Sequence, residues 1–170
     1  TRETNVFFRN DGGELNNIPE GSGADLYGNS RAVVYFDYDL DGDLDMLLNN
    51  YHEPAELLRN NAEIQKNNWI TIDLEGDPAQ GASRDAIGAK VILTTDTGHT
   101  VWREVHGGSG YLTMHEKRLH FGIGTATSAT IEVIWPGNLR AELNELNANT
   151  RYSIRQQNSQ LTTIRSIEKP

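Results

Sequence analysis

Ala32-Val33-Val34-Tyr35-Phe36-Asp37-Tyr38-Asp39-Leu40-Asp41-Gly42-Asp43-Leu44-Asp45-Met46-Leu47-Leu48 decides how the N-terminal part of this chain is read. Its centre places five carboxylates, Asp37, Asp39, Asp41, Asp43 and Asp45, at every second position around one glycine. At about 4 Å and an effective dielectric of ~20, two such charges repel by about 4 kcal/mol. A hard divalent cation removes the conflict. Calcium suits it best, because it takes 6–8 oxygen ligands in flexible geometry. Ala32–Phe36 and Met46–Leu48 are short apolar runs, the first rich in β-branched and aromatic residues. They predict two strands of a β-hairpin with the acidic loop between them.

The spacing matches the first half of an EF-hand. Asp37, Asp39 and Asp41 take its first three ligand positions, Gly42 its turn glycine, and Asp43 its main-chain carbonyl position. The twelfth position then fails, since Leu48 stands where a bidentate Glu is needed. Asp45 is the natural substitute. The flanks predict strands rather than the two helices of an EF-hand. The competing reading is a solvated acidic turn, which is what most charge runs are. The strict alternation around a central glycine argues against it.

The chain has 170 residues, no cysteine and a net charge of −9. The length allows one domain or two small ones. The acidity argues against nucleic acid and anionic membrane as partners. The absence of cysteine excludes disulfides, thiolate metal sites and cysteine nucleophiles. No apolar run approaches the ~20 residues of a membrane helix, so no membrane insertion is expected. The first residue is Thr1 rather than Met, from which a processed or excised segment is expected.

Asn5-Val6-Phe7-Phe8-Arg9-Asn10-Asp11 resembles Ala55-Glu56-Leu57-Leu58-Arg59-Asn60-Asn61 at a spacing of 50 residues. A period of this size with short strands suggests a propeller or solenoid. The stretch Asp11–Ser30 holds five glycines and one proline and reads as mostly loop. Residues 1–62 are therefore expected to form a repeat region of about one blade plus a strand. Residues 63–68 are expected to be a linker, and 69–170 a second, β-rich module. In that module Trp69–Leu74, Ala89–Thr94, Thr100–Val105, Leu119–Ile123, Thr130–Trp135 and Tyr152–Arg155 read as strands. Asp96-Thr97-Gly98 and Pro136-Gly137-Asn138 read as turns. Ala141–Asn149 reads as a short helical turn. The expected class is all-β: a partial propeller-like blade with a calcium-binding hairpin, then a β-sandwich or barrel-like C-terminal module.

Val34–Asn50, with the Leu-Arg-Asn-Asn that follows, resembles the FG-GAP/VCBS repeat of integrin-like propellers. The stretch Trp69–Ile154 resembles the ASPIC/UnbV domain. The matching residues are Arg84–Val91, Arg103–Leu112, Arg118–Gly124 and Ile131–Gly137. The resemblance implies calcium-binding blades followed by a β-rich module, in proteins that are mostly secreted or at the cell surface. It implies side-chain oxygens from Asp37, Asp39, Asp41 and Asp45 and a main-chain oxygen from Asp43. It implies no catalytic residues. A closed propeller takes at least about four blades, so the single blade here is expected to be part of a longer protein, to pack on the C-terminal module, or to meet a protein partner. Self-association through open strand edges is one form of that.

Other candidates are weaker. His106-Gly107-Gly108-Ser109-Gly110-Tyr111 lacks the spacing of a phosphate loop, and Tyr111 stands where a nucleophile elbow needs glycine. Its glycines read as a turn or bulge. The five histidines, His52, His99, His106, His115 and His120, show no metal-ligand spacing, although His106 and His115 could meet near Tyr111. His120 is expected on the strand face opposite Leu119 and Phe121. Trp102 and Trp135 are expected in the core, and Trp69 at a hinge. The function these residues support is an extracellular calcium-binding structural or adhesion module, not an enzyme. The alternative is a carbohydrate-binding module with a glycan as partner, where an exposed Trp or Tyr stacks on sugar. A part of a sugar-active lyase or dehydratase is the remaining alternative.

Overall fold

A computed structural model of the chain describes residues 2–18, 22–61 and 67–156, together with the backbone of 163–167. Of the expected linker, 63–66 lie outside the described residues. The chain forms two compact units. The first holds Thr1–Tyr38, Leu44–Asn60 and Ser109–His115. The second holds Asp39–Asp43, Asn61–Gly108 and Glu116–Pro170. Among the described residues all regular structure is strand apart from one 3-10 turn at Pro78–Gln80, and no sheet closes into a barrel.

In the first unit β1 (Glu3–Thr4) pairs with β4 (Tyr27–Gly28), and β2 (Phe8–Asp11) with β3 (Glu14–Asn17). The β2–β3 turn is Gly12-Gly13, both at positive φ. That twist lets a two-residue turn join strands directly, so part of the expected loop at Asp11–Ser30 is a hairpin. The third sheet is β5 (Ser30–Phe36), β6 (Asp45–Asn50) and β7 (Glu56–Leu58), antiparallel throughout. Phe36 faces Asp45 in register, which places the acidic loop between paired strands, as its flanks predict. Of the first unit's hydrophobic side chains, only Ala24 and Leu48 are buried among the described residues.

The second unit carries two four-stranded sheets. One runs β10 (Thr100–Glu104), β9 (Lys90–Thr95), β12 (Ser128–Ile134), β13 (Arg140–Asn147). The other runs β11 (Leu119–Gly124), β8 (Asn68–Glu75), β14 (Thr150–Arg155), β15 (Thr163–Ile167), with β8 and β14 parallel. Alternate residues of these strands, among them Ile70, Ile72, Val91, Leu93, Phe121, Ile131, Val133 and Ile154, form one fully buried cluster. Burying each such side chain is worth about 1.5–3 kcal/mol. The cluster is what makes this unit a sandwich.

Two sequence expectations fail here. Ala141–Asn149 is not helical but forms most of β13. The strand carries a bulge, since Leu143 and Leu146 face Ile131 and Ala129, and Glu145 sits at φ 61°. One extra residue shifts the alternation by one step. Two inward leucines therefore stand three apart, which imitates a helical face. Trp102 is not core. It lies on the edge strand β10, 60% exposed, with Lys90 Nζ 5.8 Å from its ring centroid. Trp135 is buried as expected, and His120 alternates with buried Leu119 and Phe121.

The contrast between the two aromatic residues gives a prediction. Phe121→Ala should lower unfolding free energy by about 3–5 kcal/mol. Trp102→Ala should lower it by about 1 kcal/mol or less. Urea unfolding followed by circular dichroism measures both, and a larger loss at Trp102 than at Phe121 would contradict the core assignment.

Candidate metal centre

The acidic loop is a continuous turn between two strand ends. Leu40 and Gly42 take positive φ, 61° and 97°, which lets the chain reverse within a few residues. Asp37, Asp39 and Asp45 each bring one carboxylate oxygen to a common point, all within 4.8 Å of one another. Asp37 is half-buried, Asp39 exposed and Asp45 buried. Among the described residues this is the one such group of metal-ligating side chains. Its donors are all hard oxygens, with no imidazole or thiolate, which is the set calcium and magnesium take. The donor set therefore fits the cation the sequence implies.

Asp41 and Asp43 are arranged otherwise. Asp41 Oδ1 accepts the Asp43 main-chain N–H at 3.1 Å, a short-range turn bond that shapes the tip.

Asp45 is 1% exposed and serves the loop as well as the cluster. Its Oδ2 accepts the Tyr38 N–H and its Oδ1 the Asn60 N–H, both at 2.8 Å. Asn60 Nδ2 in turn donates to the Leu44 carbonyl at 3.2 Å. Residue 60 was visible in the sequence only as the Asn of the second Leu-Arg-Asn repeat. Its role in closing the loop was not.

Two further residues that sequence reasoning missed lie within the second unit. The main chain at Gly42 abuts the indole of Trp69. A Cβ at position 42 would stand 1.9 Å from Trp69 Cε2 and Nε1. His120 Nε2 makes a 2.8 Å hydrogen bond with the Gly42 carbonyl. The glycine's part as a turn residue hides this close approach, because glycine serves both purposes.

His115 belongs to the first unit with Ser109–Met114. Its ring stacks on Tyr35 with centroids 3.6 Å apart, and its Nδ1 accepts the Tyr35 N–H at 3.3 Å. Thr113 Oγ1 donates to the Val33 carbonyl at 3.4 Å. This segment thus satisfies main-chain groups on the outer edge of β5. The glycines before it serve a loop, consistent with their structural reading. Tyr111 is 69% exposed. No helix among the described residues is long and apolar enough to cross a membrane.

Two predictions follow from these contacts. Asp45→Ala should cost about 1–3 kcal/mol for each buried donor left unpaired. Asp39→Asn, at an exposed position, should shift stability by no more than about 0.5 kcal/mol. Both are measured by urea unfolding in chelator. Equal effects would sink the staple role of Asp45. Burial lowers the His115 pKa below its ordinary 6.5. The unfolded chain then takes up the proton at higher pH than the folded one. The stabilising contribution is complete above about pH 6.5 and is lost as pH falls through the folded value. Protection of the Tyr35 amide, taken relative to its intrinsic exchange rate at each pH, should therefore fall between about pH 7 and 5, and His115→Gln should flatten that dependence. An unchanged profile in the variant would refute it.

Residues 79–161 match the family described as ASPIC and UnbV. The chain is 32% identical over 125 residues to cartilage acidic protein 1 of Mus musculus, an alignment covering 72% of this chain and 19% of that protein. The Homo sapiens protein matches at 32% with 72% and 18% coverage, and the Xenopus tropicalis protein at 35% with 71% and 18%. A solved Bacteroides uniformis structure covers 96% of this chain and 83% of its own, at 12% identity and a TM-score of 0.39, a likeness too slight to carry an argument. The chain thus spans about a fifth of the length of the curated relatives it matches. Over most of its own length it is similar to cartilage acidic proteins, and its second half carries a region matching ASPIC and UnbV.

Proposed function

We propose that this chain is an extracellular structural or adhesion module whose Asp37–Asp45 loop binds calcium. The observation that carries the reading is the convergence of Asp37, Asp39 and Asp45 on one point at the turn of a β-hairpin. All-oxygen donors at that point favour a hard cation. The similarity to cartilage acidic proteins supports the extracellular part. The FG-GAP/VCBS resemblance of the acidic segment supports the calcium part. On this reading Asp41 contributes a side-chain oxygen and Asp43 a main-chain oxygen when the ion binds, completing the set taken from the sequence.

The ion's role is to order the loop rather than to catalyse. Its charge cancels repulsion among the carboxylates and holds them ionised, so none is a general acid. The reading extends to a protein partner, including self-association through strand edges. Melting the protein with calcium and with chelator tests it. Extracellular sites bind at about 10⁻⁴–10⁻³ M. A tenfold excess of calcium over the dissociation constant should add about 1.4 kcal/mol of stability. Asp37→Asn with Asp39→Asn should abolish that gain. A calcium-independent melting temperature in the parent protein would refute the site.

One observation favours a second reading. Trp102 presents an exposed indole on the edge strand β10, beside Lys90, and an exposed indole is a residue on which a sugar can stack. Glycan-array binding that Trp102→Ala removes would establish it, and an empty array would dismiss it.

A further inference from the structure

The geometry points to Trp69 and His120 as positioning residues of the acidic loop, holding its tip in the conformation that a cation requires. This rests on the calcium reading above. The tip Asp39–Asp43 belongs to the second unit, where its packing is explicit. Gly42, the residue of the sharp turn at φ 97°, lies against the Trp69 indole so closely that no side chain fits there. The Gly42 carbonyl is held by His120 Nε2 at 2.8 Å. Trp69 stands on β8 and His120 on the neighbouring β11. Gly122 pairs with Trp69, and His120 with Thr71. The turning residue is thus fixed on one side by a ring and at its oxygen by a ring nitrogen, from two hydrogen-bonded strands.

The consequence concerns how the carboxylates reach an ion. A free loop holding five like charges would spread, and binding would have to reverse that spreading. A loop pinned at its central residue has lost that freedom already, and preorganisation of this kind converts to affinity. His120 acts through the Gly42 carbonyl and Trp69 by contact, so neither needs to touch the ion. Outer partners that orient a metal site commonly change its affinity by about 10–100-fold. The Trp69 contact has an optical consequence too, because an indole touching the loop senses changes in it.

Terbium and calcium titrations of the full chain test the inference. Terbium emission excited through tryptophan should appear in the parent protein and be largely lost in Trp69→Phe, while Trp102→Phe retains it. Calorimetry should show calcium binding about 10-fold weaker or worse in His120→Ala and Gly42→Ala. His120→Gln, which keeps a side-chain N–H donor, should restore most of the affinity. Urea unfolding in chelator checks that each variant folds, and His120→Gln stays informative if Gly42→Ala does not. Unchanged calcium affinity in folded His120→Ala would overturn the positioning role while leaving the cation site standing. Failure of the parent protein to bind calcium at all would overturn the site and this inference with it.

Discussion

The first unit's central sheet depends on a single buried carboxylate that accepts two main-chain hydrogen bonds. Asp45 takes the Tyr38 N–H from the start of the loop and the Asn60 N–H from beyond β7. It thereby ties the loop's two ends together and fixes the chain that follows the third strand. Burying an unpaired charge is prohibitive, but two charge-assisted bonds offset much of that penalty. The bonds also spread some of the charge of Asp45 onto backbone dipoles. That is one reason this carboxylate can stand so near Asp37 and Asp39. The acidic loop is consequently more than a ligand reservoir. One of its five carboxylates is a structural bracket, and its removal would loosen the loop whether or not an ion is present.

The two units differ in how they are stabilised. The second has a continuous apolar cluster contributed by both sheets. The first buries only Ala24 and Leu48 among its described hydrophobic residues, while Val6, Phe8, Leu15 and Tyr27 are more than half exposed. Its order comes from polar brackets instead. Asp45 serves the loop, Asn50 donates to the Pro54 carbonyl and the Glu56 carboxylate, and Arg2 pairs with Glu53 across 51 positions of sequence. Exposed ion pairs contribute little, typically below about 1 kcal/mol. Such a unit has few reserves, and a bound cation or a covering partner would change its stability by a large fraction.

Much of this was legible in the sequence. The strands around the acidic loop, and β8 to β12, follow from alternation and from turn residues at Asp96-Thr97-Gly98 and Pro136-Gly137-Asn138. The grouping of Asp37, Asp39 and Asp45 follows from their spacing across a hairpin turn. What was not legible depends on phase or on distance. The bulge at Glu145 shifted Leu143 and Leu146 out of strand phase, so their spacing pointed to a helix. Gly12-Gly13 looked like loop because two glycines signal flexibility until both flanking strands are known. Trp102 has the alternation of a core strand, yet it falls on the sheet face opposite Val101, the residue that packs on the core. The partners of Gly42 are 27 and 78 positions away along the chain, and no local pattern announces them.

Gly42 also shows why one residue can be constrained for two reasons at once. A positive φ alone would admit Asn or Asp at modest strain, and a loop rich in aspartate could have used one. The indole of Trp69 removes that option, because any Cβ would fall inside the ring's contact distance. The requirement is therefore set by packing on β8 as well as by the turn. His120 adds a third condition, since the carbonyl must face its ring nitrogen for the 2.8 Å bond to form. Backbone, side-chain volume and hydrogen-bond direction thus agree on one conformation of the tip. The repulsion among the carboxylates opposes compaction of the same loop. A conformation fixed by such contacts and opposed by like charge is one whose energy a bound cation would lower without having to reshape it.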